Sequence, residues 1–244
     1  MPTLKVTLEY DGTAYTGWQR QPNQPTIQEA VEAAVRSVSQ TAIPVIAAGR
    51  TDAGVHALGQ VVSFTSEKPL SPDEWLRALN ATLPEDISAR SVERVADDFH
   101  ARYSAVRKLY AYRILHRSER SALERGRAWH LYGKLDLDVM REAAGHLVGK
   151  HDFSSFQGHP TDVENPICDL QRLEIVLDQD IVRIEIEADR FLKQMVRAIV
   201  GTLAEVGQGK RKPEEMKQIL DAKDRRAAGY TAPAHGLYLI DVTY

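Results

Sequence analysis

The feature that most constrains the fold of this 244-residue chain is an order of strand and helix signals that occurs twice. Leu4, Val6, Leu8 and Tyr10 alternate with polar residues, the period-two pattern of a half-buried strand. Thr26 followed by Glu29 reads as a capping box, and Ile27, Ala30, Val31, Ala34 and Val38 behind it have helical spacing. Strands are expected near residues 43–48 and 60–65. Ser71-Pro72-Asp73-Glu74 then sets a helix start, with a cap, a first-turn proline and a glutamate three residues on. That helix carries Trp75, Leu76 and Leu79, and a strand is expected over 87–95. The resulting order, β-α-β-β-α-β, is the split pattern of ferredoxin-like domains.

The second half repeats the order loosely. Strands are expected near 108–115 and 128–132, a helix near 138–148, and a hairpin of 170–177 with 181–188 around Asp178-Gln179-Asp180. A helix is expected over 191–206, with Leu192, Met195, Val196, Ile199, Val200 and Leu203 on its apolar side and Gly207 placed to end it. A short helix from Pro213 and a strand over 237–242 close the chain. The class is therefore α+β, in two halves at 1–104 and 105–244. A cleft between the halves is the expected site.

Composition narrows the function classes. Cys168 is the only cysteine, so neither a disulfide framework nor a cysteine-based zinc site is expected, and a reducing, cytoplasmic setting fits. No run approaches the roughly 20 apolar residues of a membrane helix. Residues 1–10 lack the basic start and apolar stretch of a secretion signal. The net charge of −3 argues against a general nucleic-acid binder, but the charge is unevenly spread. Residues 100–134 carry 9 basic and 2 acidic side chains, and 190–244 carry 10 and 6, whereas 1–99 and 135–189 are net acidic. Either these are solvated faces or two stretches form one polyanion-binding surface. Arginine outnumbers lysine 21 to 10, and arginine is the better bidentate phosphate ligand.

The stretch richest in chemistry is Gly49-Arg50-Thr51-Asp52-Ala53-Gly54-Val55-His56-Ala57. It lies between two expected strands and is too long for a tight hairpin. Glycines permit close backbone approach to a ligand, and an aspartate beside an arginine can stay ionised as nucleophile or base. Spacing alone favours the alternative, an Asp-turn with a surface ion pair. His56, His151 and His159, even with Asp52 and Asp152, match no standard metal-ligand spacing, so no metal is expected.

Residues 49–57, continuing into Gly59-Gln60-Val61, resemble the catalytic segment of the TruA family of tRNA pseudouridine synthases. The resemblance spans the chain in order. Gly17-Trp18-Gln19-Arg20-Gln21 with Thr26-Ile27-Gln28-Glu29 resembles the family's N-terminal signature. Leu79-Asn80, Leu83-Pro84 and Asp86-Ile87 fit the next block, and Phe99-His100-Ala101-Arg102 with Lys108-Leu109-Tyr110-Ala111-Tyr112 fit the one after. Gly149 with His151-Asp152-Phe153, then Phe191-Leu192, Met195-Val196-Arg197 and Gly201, and finally Pro233-Ala234, Gly236-Leu237 and Val242-Thr243-Tyr244 complete it. The departure lies at 157–170. There the family carries an arginine-bearing segment after a serine-proline and this chain has Asn165-Pro166-Ile167-Cys168-Asp169-Leu170, which bears on a peripheral RNA contact.

The resemblance implies the pseudouridine synthase fold, two ferredoxin-like halves with antiparallel sheets flanking a central cleft. It implies isomerisation of uridine to pseudouridine in tRNA without cofactor or metal, by a cytoplasmic homodimer with no other protein partner. It points to about positions 38–40 of the anticodon stem-loop, a folded element recognised largely by shape and phosphates. Asp52 is then the essential carboxylate, attacking ribose C1′ or uracil C6 or abstracting the C2′ proton. Arg197 is its guanidinium partner, or else a solvated helical arginine. Tyr110 lies over the target base, where stacking contributes about 1–3 kcal/mol. Arg50 either fills the space of a flipped nucleotide or contacts a phosphate. Thr51, His56 and Lys108 complete the substrate side, His56 by orienting the loop. Arg20, Arg102, Arg107, Arg113, Arg120 and Arg125 are the expected backbone contacts. Two other classes compete: a noncatalytic RNA-binding module, in which Asp52 has no function, and a hydrolase of N-glycosidic bonds. The hydrolase usually needs two carboxylates and would release free uracil.

Overall fold

The computed structural model describes residues 1–161 and 163–244. It divides into two compact units, Met1–Val106 with Tyr238–Tyr244, and Arg107–Leu237. The first unit runs β1 (Thr3–Tyr10), α1 (Ile27–Ser39), β2 (Ile46–Ala47), β3 (His56–Thr65), α2 (Pro72–Asn80) and β4 (Ile87–Val95), the order read from the sequence. Its strands lie β4-β1-β3-β2, with every one of these neighbours antiparallel. Val6 of the central strand faces Val62 on one side and Val92 on the other.

The alternation in β1 carries through to burial. Leu4, Val6, Leu8 and Tyr10 are buried, while Lys5, Thr7 and Glu9 are not. Ile27, Val31, Ala34 and Val35 of α1 are buried too, as are Trp75 and Leu79 of α2. The Trp75 ring meets Phe64 of β3 edge-on at 5.4 Å. Each buried Leu, Val or Ile side chain contributes about 1.5–3 kcal/mol. Both helix starts use the caps the sequence offers. Thr26 accepts the Glu29 N–H, and at α2 both arms of the Ser71/Glu74 box close.

The second unit contains β5 (Arg107–Leu115), β6 (Trp129–His130), α3 (Leu137–Gly145), β7 (Gly149–Asp152), β8 (Ile167–Asp178), β9 (Ile181–Ala188), α4 (Met195–Gly207) and α5 (Glu215–Ala222). Its main strands lie β5-β9-β8-β7, all antiparallel, and β6 joins β5 in parallel. The β8–β9 register shifts between Leu170 and Arg172. That extra residue changes the inward face from Cys168 and Leu170 to Leu173 and Ile175, because side chains alternate along a strand.

Helix α4 differs from the expected one-sided helix. It is buried nearly all round, the pattern of a helix in the middle of a core. It also begins at Met195 rather than 191, because Gln194 takes a left-handed φ of 59°. Gly207 is its last residue, and its role is close packing. A Cβ there would stand 2.7 Å from Met140 Sδ and 2.8 Å from Leu135. The closing strand β10 (Leu237–Thr243) places Tyr238 and Leu239 in parallel with His56 and Ala57 of the first unit.

Two glycines separate packing from propensity. A Cβ on Gly201 of α4 would overlap the Tyr230 carbonyl, whereas one on Gly145 of α3 meets nothing within 4 Å. Gly201→Ala is expected to lower stability by at least about 2 kcal/mol, and Gly145→Ala to raise it by about 0.4–1 kcal/mol. Urea unfolding midpoints of the two variants check this. Equal midpoints would contradict the close packing of α4.

Candidate active site

In the first unit, residues 48–55 form the loop between β2 and β3, and Asp52 sits on it half-buried. The loop begins where the Ala48 N–H still donates to Val61 O at 2.8 Å. It ends in a turn in which Val55 N–H donates to Asp52 O at 3.1 Å, with Gly54 at φ 77°. What holds it lies far away in sequence. Trp18 N–H donates to Thr51 O at 3.0 Å, and Gly54 N–H to Tyr15 O at 3.3 Å. Gly17, at φ 99°, presses against the backbone of Asp52. A Cβ there would stand 2.8 Å from Thr51 O and 3.2 Å from the Asp52 carbonyl carbon.

The same segment closes the start of α1. The first N–H groups of a helix have no partner within it. Here Ile27 N–H donates to Gly17 O and Gln28 N–H to Trp18 O. Residues 17–18 thus satisfy the helix with their carbonyls, while Trp18 N–H holds Thr51. Trp18 itself is 2% exposed.

Beneath the loop lies a buried polar cluster. Tyr10 Oη is 2.8 Å from Thr51 Oγ1, and Gln60 Nε2 donates to Gly49 O at 2.8 Å and to Tyr10 Oη at 3.4 Å. The carbonyl groups of Gly49 and Thr51 and the Thr51 hydroxyl are therefore fixed around Arg50 and Asp52. Burial pushes the Tyr10 hydroxyl up to about 12, against smaller opposing effects of its bonds to Thr51 and Gln60. His56 is buried, stacked on Tyr238 at 4.7 Å, and its Nδ1 accepts from Gly12 N–H at 3.1 Å. Asp11 Oδ1 stands 3.1 Å from the same nitrogen, so whether Nδ1 carries a proton decides which neighbour it holds. Tyr15 Oη donates to Asp86 at 2.6 Å, tying a further part of the clamp to the start of β4. Sequence reasoning assigned no site role to Tyr10, Tyr15, Gly17 or Gln60. A tyrosine ending an alternating strand, and glutamine and glycine inside matched blocks, were the available signals.

The second unit carries the remaining candidates. Tyr110 on β5 is 7% exposed and meets the Phe191 ring edge-on at 4.9 Å. Lys108, two residues earlier on the strand, is half-buried. Tyr112 has a different task, since its buried hydroxyl donates to Pro233 O at 2.7 Å. Arg197 lies in the first turn of α4, half-buried, and is fixed by two bonds to one residue. Its Nε donates to Ala232 O at 2.8 Å, and its carbonyl accepts from Ala232 N–H at 3.0 Å.

Of the expected backbone contacts, Arg20 pairs with Glu32, Arg107 with Glu187 at 3.3 Å and Arg113 with Glu124 at 3.0 Å. Arg50, Arg102, Arg120 and Arg125 are exposed.

Asp52 is thus a half-buried carboxylate on a loop whose backbone is clamped from several sides. The family described as tRNA pseudouridine synthase matches residues 7–104 and 143–244, and the chain belongs to that family. Relatives named tRNA pseudouridine synthase A align along its length. The protein of Acetivibrio thermocellus is 43% identical over all of both chains. That of Rhodospirillum centenum is 45% identical, again over all of both. That of Bacillus subtilis is 44% identical over 99% of this chain and 98% of its own.

The buried cluster gives a test in two conditions. Tyr10→Phe removes the hydroxyl between Thr51 and Gln60 and should cost about 1–2 kcal/mol at pH 7. Because the folded Tyr10 value lies above the ordinary 10.0, its contribution is complete below pH 10. It is lost as pH rises from 10 towards 12. Urea midpoints measured across that window should therefore fall less steeply for Tyr10→Phe than for wild type. Parallel curves would mean that Tyr10 is not buried in this way.

Proposed function

We propose that this protein converts uridine to pseudouridine in tRNA, at positions 38–40 of the anticodon stem-loop, as a cytoplasmic homodimer. The observation that carries the reading is Asp52, half-buried on a loop whose backbone is bonded to Tyr15, Trp18, Gln60 and Val61. A fixed carboxylate suits a reaction that needs one ionised oxygen at a set place on a nucleotide. The bond between N1 and ribose C1′ breaks, C1′ joins C5, C5 loses its proton and N1 gains one. No electrons leave the substrate, so no redox partner is required.

Asp52 acts as nucleophile at C1′ or C6, or as base at C2′. Tyr110 stacks on the base and its hydroxyl can move the C5 proton. Arg197 is the second charged residue of the reaction, and its double attachment to Ala232 supports a fixed role. Arg50, exposed beside Asp52, holds the flipped nucleotide or its phosphate. Thr51, His56 and Lys108 line the substrate side. His56 and Thr51 act by fixing the loop, as their hydrogen bonds to Gly12 and Tyr10 support.

The test is tritium release from tRNA labelled at uridine C5. Wild type should release tritium without free uracil. Asp52→Asn should release none while its tRNA affinity stays within about tenfold, because phosphate contacts supply most of the affinity. Free uracil would indicate a hydrolase instead. Turnover by Asp52→Asn would remove Asp52 from the chemistry.

A further inference from the structure

The second unit has an open pocket of about 580 Å³ that the reaction above does not use. Ser154, Gln157 and His159 line one side, and Lys223, Arg225 and Arg226 the other. These two groups are more than sixty positions apart in sequence, and the fold joins them through one buried serine. Ser155, 0% exposed, donates its hydroxyl to Ile219 O at 2.5 Å and accepts from Asp224 N–H at 3.0 Å. The turn at Ser154–Phe156 is thereby stitched to the exit of α5, where Lys223 takes a left-handed φ of 49°.

The charges on the wall are arranged for an anion. Arg225 is half-buried and held by carbonyls and a hydroxyl. Its Nη1 donates to Gly229 O at 2.9 Å and its Nη2 to Thr231 Oγ1 at 2.9 Å. Those bonds fix the guanidinium without cancelling its charge. Arg226 forks onto Asp224 at 2.7–3.1 Å, and its bonds hold that carboxyl down to about 2. Lys223 reaches Asp152 at 3.2 Å. Both pairs are solvent-exposed on the cationic side, and such pairs exchange at little cost. Three cations therefore face one lining carboxylate, Asp224, and the two outer cations can turn to a new anion.

The pocket also shares a strap with Arg197. Thr231, bonded to Arg225, immediately precedes Ala232, which holds Arg197 through two bonds. An anion bound at Arg225 is thus registered against Arg197 by consecutive residues. Acting on the reading that tRNA is the substrate, we propose that this pocket receives a backbone phosphate of the bound tRNA and sets its register on the second unit. A phosphodiester matches the donor set, because a fixed guanidinium and two mobile cations suit a small, doubly oxygenated anion better than a base edge.

The experiment is the salt dependence of tRNA affinity. The double variant Lys223→Ala/Arg226→Ala removes the two exposed cations, and Lys150→Ala/Lys217→Ala removes two exposed cations outside the pocket. Without this phosphate's cations, the slope of log Kd against log[KCl] should fall by about one in the pocket variant. Kd at fixed salt should rise roughly tenfold. The control should keep the wild-type slope. A wild-type slope in the pocket variant overturns the proposal, and so does an equal loss in the control. The slope is read from binding alone. A protein that fails to release tritium but shows the pocket-specific change would sink the isomerase reading and leave the phosphate pocket standing.

Discussion

The position of Asp52 depends on one backbone contact, the Trp18 N–H donating to Thr51 O with Gly17 against the next peptide. Three requirements meet there. The start of α1 needs acceptors for its first N–H groups, and the carbonyls of Gly17 and Trp18 supply them. The loop needs a partner for its own carbonyl, and the same segment provides it. The two chain segments can approach this closely only because residue 17 has no Cβ and tolerates φ 99°. A helix end that would otherwise depend on water is thus converted into a rigid backing for the Asp52 loop. The cluster of Tyr10, Gln60 and Thr51 repeats the device with side chains.

The second unit reaches the same end by another route. Arg197 is not on a clamped loop but in the first turn of a helix buried nearly all round. Helix α4 is held by contacts that leave no space. Gly201 lies against the Tyr230 carbonyl, Gly207 lies against Met140, and Thr202 accepts from Gly229 N–H. The segment 228–232 therefore packs along α4, and Ala232 fixes Arg197 as part of that packing. Both units place a charged side chain at a half-buried position and satisfy the backbone around it. Such an arrangement limits the reorganisation a reaction would otherwise require.

Much of this was legible in the sequence where local chemistry decides. Alternation in residues 4–10, the cap at Thr26 and the full box at Ser71 and Glu74 gave β1, α1 and α2 close to their observed limits. The hairpin around Asp178-Gln179-Asp180 was equally local. The start of α4 was not. Phe191 and Leu192 extend the apolar pattern backwards, yet Leu192 is buried without being helical, because Gln194 turns the chain. The bulge at Gln171 was likewise not read, although the apolar positions shift there from 168 and 170 to 173 and 175. Asp52 and Arg197 were named through the family resemblance, whereas their supports were not. Tyr10 and Thr51 are 41 residues apart, Tyr10 and Gln60 are 50 apart, and neither pair has a local signal.

Charge is where linear reading and structure diverge most usefully. Residues 100–134 are strongly basic and 135–189 strongly acidic, which along the chain suggests one surface for a polyanion and another that repels it. Folding brings the two together. Arg107 of the basic stretch meets Glu187 of the acidic one, and Arg117 meets Asp180. Arg113 is balanced within its own stretch by Glu124. Each pair lies partly exposed and contributes little to stability, but each removes a cation from the long-range field. The positive potential open to a nucleic acid is then carried by fewer groups than composition implies. Exposed Arg102, Arg120 and Arg125 are among them, and so is Arg225, whose bonds go to neutral oxygens. An acidic protein can present a basic surface in this way, because what matters is which arginines the fold leaves without a carboxylate, not how many the chain contains.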